Sequence, residues 1–223
     1  MENLLEDVAK LNIPRIRFVT SHPWDFTDNM IDVIAKYDNI MPYIHLPLQS
    51  GSSTILKKMG RRYTKESYLE LAKKIKEKVP NCSLTTDIIV GFPGETDEDF
   101  KETLDVVNTL KYDSAFTFIF SPRVGTPAAK MEDATPIEVK EKRLQTLNQL
   151  VNKYANEANQ KYLNKIVPVL IESVSEKNQE MMMGYTDTMK LVNVKADKNN
   201  IGKIVNVKIT DVKTWSMDGE IEN

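Results

Sequence analysis

A glycine-containing turn at 91–95 holds the residues whose types and spacing best suit ligand binding. An apolar, β-branched run at 85–90 precedes it, and Thr96 with three acidic residues follows it. The run is typical of a buried strand, and threonine before an acidic first turn is typical of a helix start. Ligands of α/β proteins bind where a strand ends in this way, and Glu95 could accept a hydrogen bond from one. The alternative is an ordinary turn whose glycines only provide a positive φ.

Further strands are predicted on both sides of this turn, at 15–20, 43–48 and 115–120. Helices are predicted at 2–11, 25–37, 54–59, 65–79 and 96–110. Alternating strands and helices form parallel sheets with right-handed crossovers, so the C-terminal ends of the strands share one edge. Polar residues gathered there are Ser21, His22, Gln49, Ser50, Ser121 and Arg123, beside 91–95. Four strands are too few to close a barrel, so the sheet is open or belongs to a larger protein.

The second half of the chain changes from helical to strand periodicity. Thr135-Pro136-Ile137-Glu138 predicts a capping box at the start of a long helix that ends near 164. Short alternating segments follow at 167–172, 181–185, 190–194, 204–209 and 219–221. Five such strands predict a small antiparallel barrel of the size of an oligonucleotide-binding module. We therefore divide the chain into an α/β domain at 1–163 and a barrel domain at 164–223.

Composition limits the possible classes of site. The 223 residues include 30 Lys and Arg against 32 Asp and Glu, a formal charge of -2, which neither predicts nor excludes a local nucleic-acid site. With Cys82 as the single cysteine and two histidines, an intrachain disulfide is excluded and no metal site is expected. No apolar run is long enough for a bilayer and no signal peptide is present, so we expect a cytoplasmic protein without membrane contact.

Five ordered motifs are spread over nearly the whole chain. They are His22-Pro23-x-Asp25-Phe26-Thr27-Asp28, His45-Leu46-Pro47-Leu48-Gln49-Ser50-Gly51-Ser52, Thr86-Asp87-Ile88-Ile89-Val90-Gly91-Phe92-Pro93-Gly94-Glu95-Thr96, Ser121-Pro122-Arg123-x-Gly125-Thr126-Pro127-Ala128-Ala129 and Lys213-Thr214-Trp215-Ser216. Together these motifs resemble those of the radical S-adenosylmethionine (SAM) methylthiotransferases. The most similar subgroup adds a methylthio group to isopentenyladenosine beside the tRNA anticodon. The resemblance implies a partial (β/α) radical-SAM barrel of the α/β class, followed by a small OB-like RNA-binding barrel called TRAM.

The cysteine pattern departs from that family. Its members use SAM and two [4Fe-4S] clusters, held by a C-x-x-x-C-x-x-C loop and by three further cysteines of an N-terminal domain. Such clusters need thiolate ligands, and Cys82 matches no ligand position. We therefore expect the chain to be the C-terminal part of such an enzyme, without the N-terminal region of the same polypeptide. By itself it is expected to bind no cluster and to be inactive.

By the resemblance, the polar edge would form one wall of the SAM pocket. The candidate cofactor contacts are His22, Gln49, Ser50, Gly91, Phe92, Pro93, Glu95 and Arg123. Gln49 and Ser50 can both donate and accept hydrogen bonds to ribose or amino-acid groups, while 91–93 would pack on the adenine. Arg123 could bind a carboxylate or phosphate with its planar guanidinium. The structural alternatives are a turn for His22, a helix cap for Ser50 and a surface ion pair for Arg123.

The resemblance also implies tRNA, through its anticodon stem-loop, as the partner. The RNA-contact candidates are Lys190, Lys213, Thr214 and Trp215 in the barrel and Arg61 and Arg62 in the α/β domain. Cations bind phosphates and an exposed indole stacks on a base. Alternatively, Trp215 fills the barrel core, and the two arginines are a solvated helix end next to Lys57 and Lys58. Acidic residues in the barrel predict weak RNA binding.

Other functions remain open on the sequence. One is a methylthiotransferase that acts on a different modified tRNA adenosine. Another is a non-catalytic TRAM-type RNA-binding module with an α/β partner domain. A third is a small-molecule enzyme without clusters, which ranks last because the motifs contain no nucleophile–base pair.

Overall fold

A computed structural model describes residues 2–19, 22–176 and 178–222 of the protein; the predicted strand residue Thr20 and edge residue Ser21 lie outside them. The helices are α1 (Glu2–Ala9), α2 (Asp28–Lys36), α3 (Ser53–Lys58), α4 (Lys65–Lys78), α5 (Asp97–Leu110) and α6 (Ile137–Gln160). The strands are β1 (Tyr43–His45), β2 (Ser83–Val90), β3 (Ser114–Ile119), β4 (Ile166–Val174), β5 (Met182–Thr186), β6 (Leu191–Lys195), β7 (Ile204–Val212) and β8 (Met217–Ile221). None of the helices in these ranges has the length and hydrophobicity needed to cross a membrane.

The N-terminal domain is built on a parallel sheet in the order β1-β2-β3. Tyr43 of β1 is paired with Ser83 of β2, and β3 runs parallel along the other side of β2. Ile88 and the other side chains on one face are buried in a core to which α2, α4, α5 and α6 contribute. The opposite face is open among the described residues, and Phe116 and Phe118 of β3 are 56% and 53% exposed on it. A parallel sheet is normally covered on both faces, so this face is unusually open for a sheet of this kind.

The strand predicted at 15–20 is wrong for the described residues, which form only a single β-bridge at Ile16. Arg15 supplies the reason. Its guanidinium donates to the backbone carbonyls of Tyr185 and Pro168 in the second domain, at 2.7 and 2.8 Å. Because Arg15 is anchored to the barrel and Ile16 bridges Ile40, which precedes β1, the segment does not run along the sheet as a strand.

Serine and threonine caps begin the helices around the sheet. The hydroxyl oxygens of Thr27, Ser52, Thr64 and Thr96 accept hydrogen bonds from first-turn backbone N–H groups. The Asp99 carboxylate in turn accepts a hydrogen bond from the backbone N–H of Thr96, which completes a capping box at α5. Three of these helix starts are as the sequence predicts, whereas α3 is capped by Ser52 and not by Ser50.

The capping box predicted at 135–138 does not form. Because α6 begins at Ile137, Pro136 occupies the N-cap position and offers no side-chain acceptor. Thr135 is then one residue too early for its hydroxyl to reach the first turn. The helix ends at Gln160, earlier than predicted, and the link to β4 contains the predicted boundary at 163/164.

The C-terminal domain is a closed barrel with the strand order β4-β5-β6-β8-β7. Its core contains Val169, Ile171, Val192, Val207 and Met217, each fully buried. The predicted antiparallel arrangement is correct for four of the strand pairs, but β6 and β8 pair in parallel. Barrel closure needs this pairing because β8 follows β7 by a tight turn and then reaches β6 on its other side.

Polar contacts join the two domains at the end of α6. The side-chain amide of Asn159 donates to the carbonyl oxygens of Lys213 and Thr214, both at 3.0 Å. Lys190 of the barrel pairs with Asp113 at the start of β3, with a distance of 2.9 Å between Nζ and Oδ1. Both residues of this ion pair are largely buried, so it contributes to holding the barrel against the sheet.

Candidate functional site

The open face of the sheet places a histidine beside a carboxylate. His45 Nε2 lies 3.4 Å from Asp87 Oδ2, and His45 Nδ1 lies 2.9 Å from Thr85 Oγ1. The Phe116 ring meets the imidazole edge-on, with centroids 6.2 Å apart. Asp87 keeps 31% of its side chain exposed, so the pair faces solvent. It can hydrogen-bond a ligand through the imidazole or the carboxylate. Neither residue is among the candidates predicted from the sequence, although His45 stands in the motif at 45–52 and Asp87 in the motif at 86–96.

Gln49 lies next to this pair, where β1 ends. It has a left-handed backbone with φ 68°, and its N–H donates to Asp87 O while its carbonyl accepts from Ile89 N. A non-glycine residue at positive φ costs about 1–3 kcal/mol, and such positions cluster at ligand sites. The strain and the position support Gln49 as a ligand contact.

Ser50 and Gly51 continue the loop toward α5. Ser50 Oγ accepts from Ser52 N at 3.2 Å, and Ser50 is only 2% exposed. A Cβ on Gly51 would lie 2.4 Å from Thr103 Cα, so the loop touches α5 directly and needs glycine there. The loop is therefore rigid, and the Ser50 hydroxyl is already used as an acceptor within it.

The glycine turn at 91–95 is held by its own glutamate. Glu95 Oε2 accepts hydrogen bonds from the backbone N–H groups of Gly91 and Phe92. Burial raises the pKa of the Glu95 carboxyl, whereas Arg143 and the two N–H groups oppose this shift. The carboxylate thus fixes the strand-to-helix turn, which is a structural use of a residue predicted to contact the cofactor.

Two basic residues of α6 close over this turn. The aliphatic stem of Lys140 occupies the space beside Gly91, where a Cβ would lie 2.6 Å from Lys140 Cγ and Cδ. Arg143 Nη1 donates to Glu95 O at 3.2 Å and lies 3.7 Å from Glu95 Oε2, while its Nη2 donates to Asp97 Oδ1 at 2.7 Å. Both residues are buried. Lys140 and Arg143 are spaced i, i+3 and lie on the same face of α6 as the buried residues Leu147 and Val151. This spacing is a sequence signal that could have predicted the burial of the two basic residues.

Phe92 and Pro93, which are predicted to pack on an adenine ring, are enclosed by the protein itself. Phe92 is 3% exposed and its ring packs on Phe120, with centroids 4.9 Å apart. Pro93 is buried as well, and only Gly94 is exposed in the turn. The side chains of Phe92 and Pro93 therefore support the turn from inside and present no open surface to an adenine ring.

Arg123 and His22, the other two predicted cofactor contacts, differ in their surroundings. Arg123 is exposed in the loop after β3, and no ion pair of its guanidinium occurs in the described part of the chain. His22 Nε2 accepts a hydrogen bond from Arg61 Nη1 at 2.9 Å, and its ring lies 3.6 Å from the ring of Trp24 between centroids. Burial and, to a smaller extent, Arg61 lower the pKa of His22, although Asp25 opposes them. His22 thus belongs to an arginine–aromatic cluster, and Tyr63, whose ring lies 5.8 Å from that of His22, donates from its hydroxyl to the carbonyl oxygen of Leu48, next to Gln49.

The barrel candidates for RNA contact differ in availability. Lys190 is buried against Asp113, so its ammonium group is not presented to a phosphate in this structure. Lys213 is exposed but is paired with Asp218 and Asp211, and the Thr214 carbonyl accepts from Asn159. Trp215 is 54% exposed, which rules out the core position considered from the sequence.

The described residues contain no group of three or more His, Cys, Asp or Glu placed to hold a metal ion. Cys82 is partly buried, and burial raises the pKa of its thiol to about 12. A thiol with this pKa is poorly suited to metal ligation, which needs the thiolate.

Comparisons with known proteins agree with the two-domain description. The Radical SAM superfamily model matches residues 1–107, and the TRAM domain model matches residues 160–221. The tRNA-2-methylthio-N(6)-dimethylallyladenosine synthases of Bacillus mycoides (strain KBAB4) and Bacillus subtilis (strain 168) are each 56% identical over 219 residues. These alignments cover 98% of this chain and 43% of each relative, so the chain spans less than half the length of the curated relatives it matches.

A solved structure is similar in fold. Coproporphyrinogen III oxidase from Escherichia coli, described as a radical SAM enzyme, superposes with a TM-score of 0.57 over 84% of this chain and 51% of that chain. At 14% sequence identity the similarity concerns the fold alone.

Proposed function

We propose that the chain belongs to the radical SAM methylthiotransferase family and is the C-terminal part of an enzyme that adds a methylthio group to dimethylallyladenosine in tRNA. The observation that carries the proposal is 56% identity across 98% of the chain to synthases named for this product. The order of a radical SAM segment followed by a TRAM barrel supports it. The open sheet face, with its His45–Asp87 pair, is the surface on which the reacting groups would meet.

The residues of this edge suit SAM in part. Asp87 offers a partly exposed carboxylate on the open face of the sheet, and the neighbouring Gln49, although only 8% exposed, carries an amide that can donate and accept hydrogen bonds to the ribose or the amino-acid portion. Ser50 would contribute through its remaining hydroxyl donor, and Arg123 through its exposed guanidinium. In such enzymes SAM supplies the radical and methyl chemistry, so the protein's task is to bind and orient it.

The chain alone does not suit an iron–sulfur cluster. It has one cysteine, its thiol pKa is raised, and three thiolates are needed for a cluster of this kind. We therefore propose that this part of the protein binds SAM and RNA from one side, and that cluster chemistry requires residues outside it. By itself it would be inactive.

A chimera tests the proposed function. The 223 residues would replace the matching segment of the Bacillus subtilis relative, in cells that lack the endogenous synthase. Mass spectrometry of total tRNA is expected to show 2-methylthio-N6-dimethylallyladenosine restored. If the chimera is expressed and folded but leaves dimethylallyladenosine unmodified, the chain is not a functional equivalent of that segment. Methylthiolation of a different adenosine would favour the alternative substrate.

The barrel is proposed to bind RNA weakly through Lys213 and Trp215. Trp215→Ala is expected to weaken binding of an anticodon stem-loop by about 1–3 kcal/mol, the value of one stacked base, with little change in salt dependence. Lys213→Ala is expected to flatten the salt dependence instead. With one phosphate contact fewer, the binding of RNA releases fewer counterions. Fluorescence anisotropy over a salt series measures both effects.

Because Trp215 is exposed, its truncation leaves the barrel core intact. A loss of RNA binding by Trp215→Ala therefore reports the lost contact and not unfolding of the barrel. The matched control is Lys195→Ala, which removes an exposed cation from the barrel outside this loop. Equal binding by the parent and both variants would place the RNA surface elsewhere.

A further inference from the structure

A cationic cavity lies on the α/β domain, and neither Gln49 nor the His45–Asp87 pair lines it. It has a volume of about 470 Å³ and is lined by Lys57, Arg61, Arg62, Tyr63 and the hydroxyl residues Ser53, Thr54 and Thr64. No carboxylate lines it. Glu66 is the acid that approaches its wall, through a 3.4 Å hydrogen bond from Ser53 Oγ. Three cations and several hydroxyl donors without an acid are the groups that bind a phosphate.

A second cavity adjoins the first and shares Arg62 and Tyr63 with it. Its volume is about 330 Å³, and its lining includes the rings of Trp24 and Phe26. The guanidinium of Arg62 lies over the Trp24 ring, 5.1 Å from its centroid. Glu70 and Lys74 supply hydrogen-bonding groups at its wall. Aromatic rings with a few polar groups form the type of surface that accepts a nucleobase.

The three cations that line the first cavity, of which Arg62 also lines the second, are not neutralised by acidic side chains of the described residues. Within the described ranges, Lys57, Arg61 and Arg62 form no ion pair with a carboxylate. Arg61 instead donates to the neutral imidazole of His22, and both Arg61 Nε and His22 Nδ1 are buried without a hydrogen-bond partner. The whole chain has a net charge of -2, so this positive patch is a local feature and not a result of composition.

We infer that the two cavities together bind a segment of single-stranded RNA, with a phosphate held by Lys57, Arg61 and Arg62 and the adjoining base in the aromatic cavity. The inference depends on the proposed function for the identity of the RNA, but the charge complementarity and the paired cavities carry the site. The cavities lie near the edge of the sheet that holds the glycine turn, since Lys58 Nζ donates to Gly94 O at 3.1 Å. RNA bound here would be a contact separate from the TRAM barrel.

The two tryptophans of the chain allow the two contacts to be observed separately. In the full chain with Trp215→Phe, Trp24 is the remaining tryptophan, and an anticodon stem-loop is expected to quench its emission. Arg62→Ala in this background is expected to weaken the RNA titration about tenfold and to reduce the salt slope by about 0.7–0.9, the value for one phosphate. Lys73→Ala, which removes an exposed cation of α4 away from the cavities, is expected to change affinity less than twofold.

The outcomes separate this site from the proposed function. Binding by anisotropy with unchanged Trp24 emission, or an Arg62→Ala affinity equal to that of Lys73→Ala, would overturn the site and leave RNA binding by the barrel intact. Absence of all RNA binding would overturn both. Quenching by inorganic phosphate to the same extent as by RNA at matched ionic strength would reduce the cavity to a simple anion site and overturn the RNA assignment. Circular dichroism of each variant confirms that loss of binding is not loss of fold.

Discussion

Replacing Arg143 with methionine is expected to lower the free energy of unfolding of the α/β domain by about 3–5 kcal/mol, because it leaves a buried carboxylate without its cationic partner. The side chains of Arg143 and Glu95 are 8% and 3% exposed. The substitution also removes the hydrogen bond from Nη1 to Glu95 O. Urea unfolding followed by the helical circular dichroism signal measures the loss.

Two further variants assign this loss to the buried charge. Lys142→Met, at the exposed neighbouring position of α6, is expected to cost less than about 0.5 kcal/mol. Glu95→Gln combined with Arg143→Met is expected to recover a large part of the stability, since the amide is neutral. An Arg143→Met cost as small as that of Lys142→Met would show that the pair does not hold the turn.

The same variant has a defined pH dependence. The pKa of Glu95 in the folded protein is raised by burial, and removal of Arg143 takes away an opposing influence. A group with a raised folded pKa stabilises the fold at low pH, and this stabilisation is lost as the pH rises through that pKa. The stability deficit of Arg143→Met relative to the parent should therefore shrink as the pH falls from neutral toward the folded pKa. The Glu95→Gln/Arg143→Met double variant should lack this component.

Replacing Asp113 with alanine is expected to destabilise the protein by about 3–5 kcal/mol and to separate the unfolding of its two domains, because Lys190 loses its partner. The side chains of Lys190 and Asp113 are 8% and 17% exposed, and their charged atoms lie 2.9 Å apart. Asp113 Oδ2 also accepts from Leu84 N. Differential scanning calorimetry is expected to show one transition for the parent and two for the variant.

The double variant Asp113→Ala/Lys190→Met removes both charges and is expected to be more stable than Asp113→Ala alone. Asp105→Ala on α5 serves as the control, since Asp105 is exposed and should change stability by less than about 0.5 kcal/mol. A single transition of Asp113→Ala at the parent temperature would mean that the interface is held by other contacts, such as those of Arg15 and Asn159.

The sequence by itself determined the local elements of this protein. Thr64 and Thr96 cap helices as predicted, because capping depends on residues three positions apart. The change to period 2 after α6 predicted the barrel, since alternation reports which face of a strand is buried. The single cysteine excluded an intrachain disulfide without any structure. In each case the physical cause lies within a few residues along the chain.

Only the tertiary structure decided which charged and aromatic side chains are buried. Lys140, Arg143 and Lys190 are as polar in sequence as any surface cation, yet each is buried beside a carboxylate from another part of the chain. Trp215 has a large apolar ring of the kind found in protein cores, yet it is exposed. A buried charge is stable only with a partner of opposite charge. The partner is Asp133 for Lys140, Glu95 for Arg143 and Asp113 for Lys190, at separations of 7, 48 and 77 residues along the chain. Helical and strand periodicity extend over a few residues, so the turn at 91–95 could be located from sequence, whereas its closure by α6 required the fold.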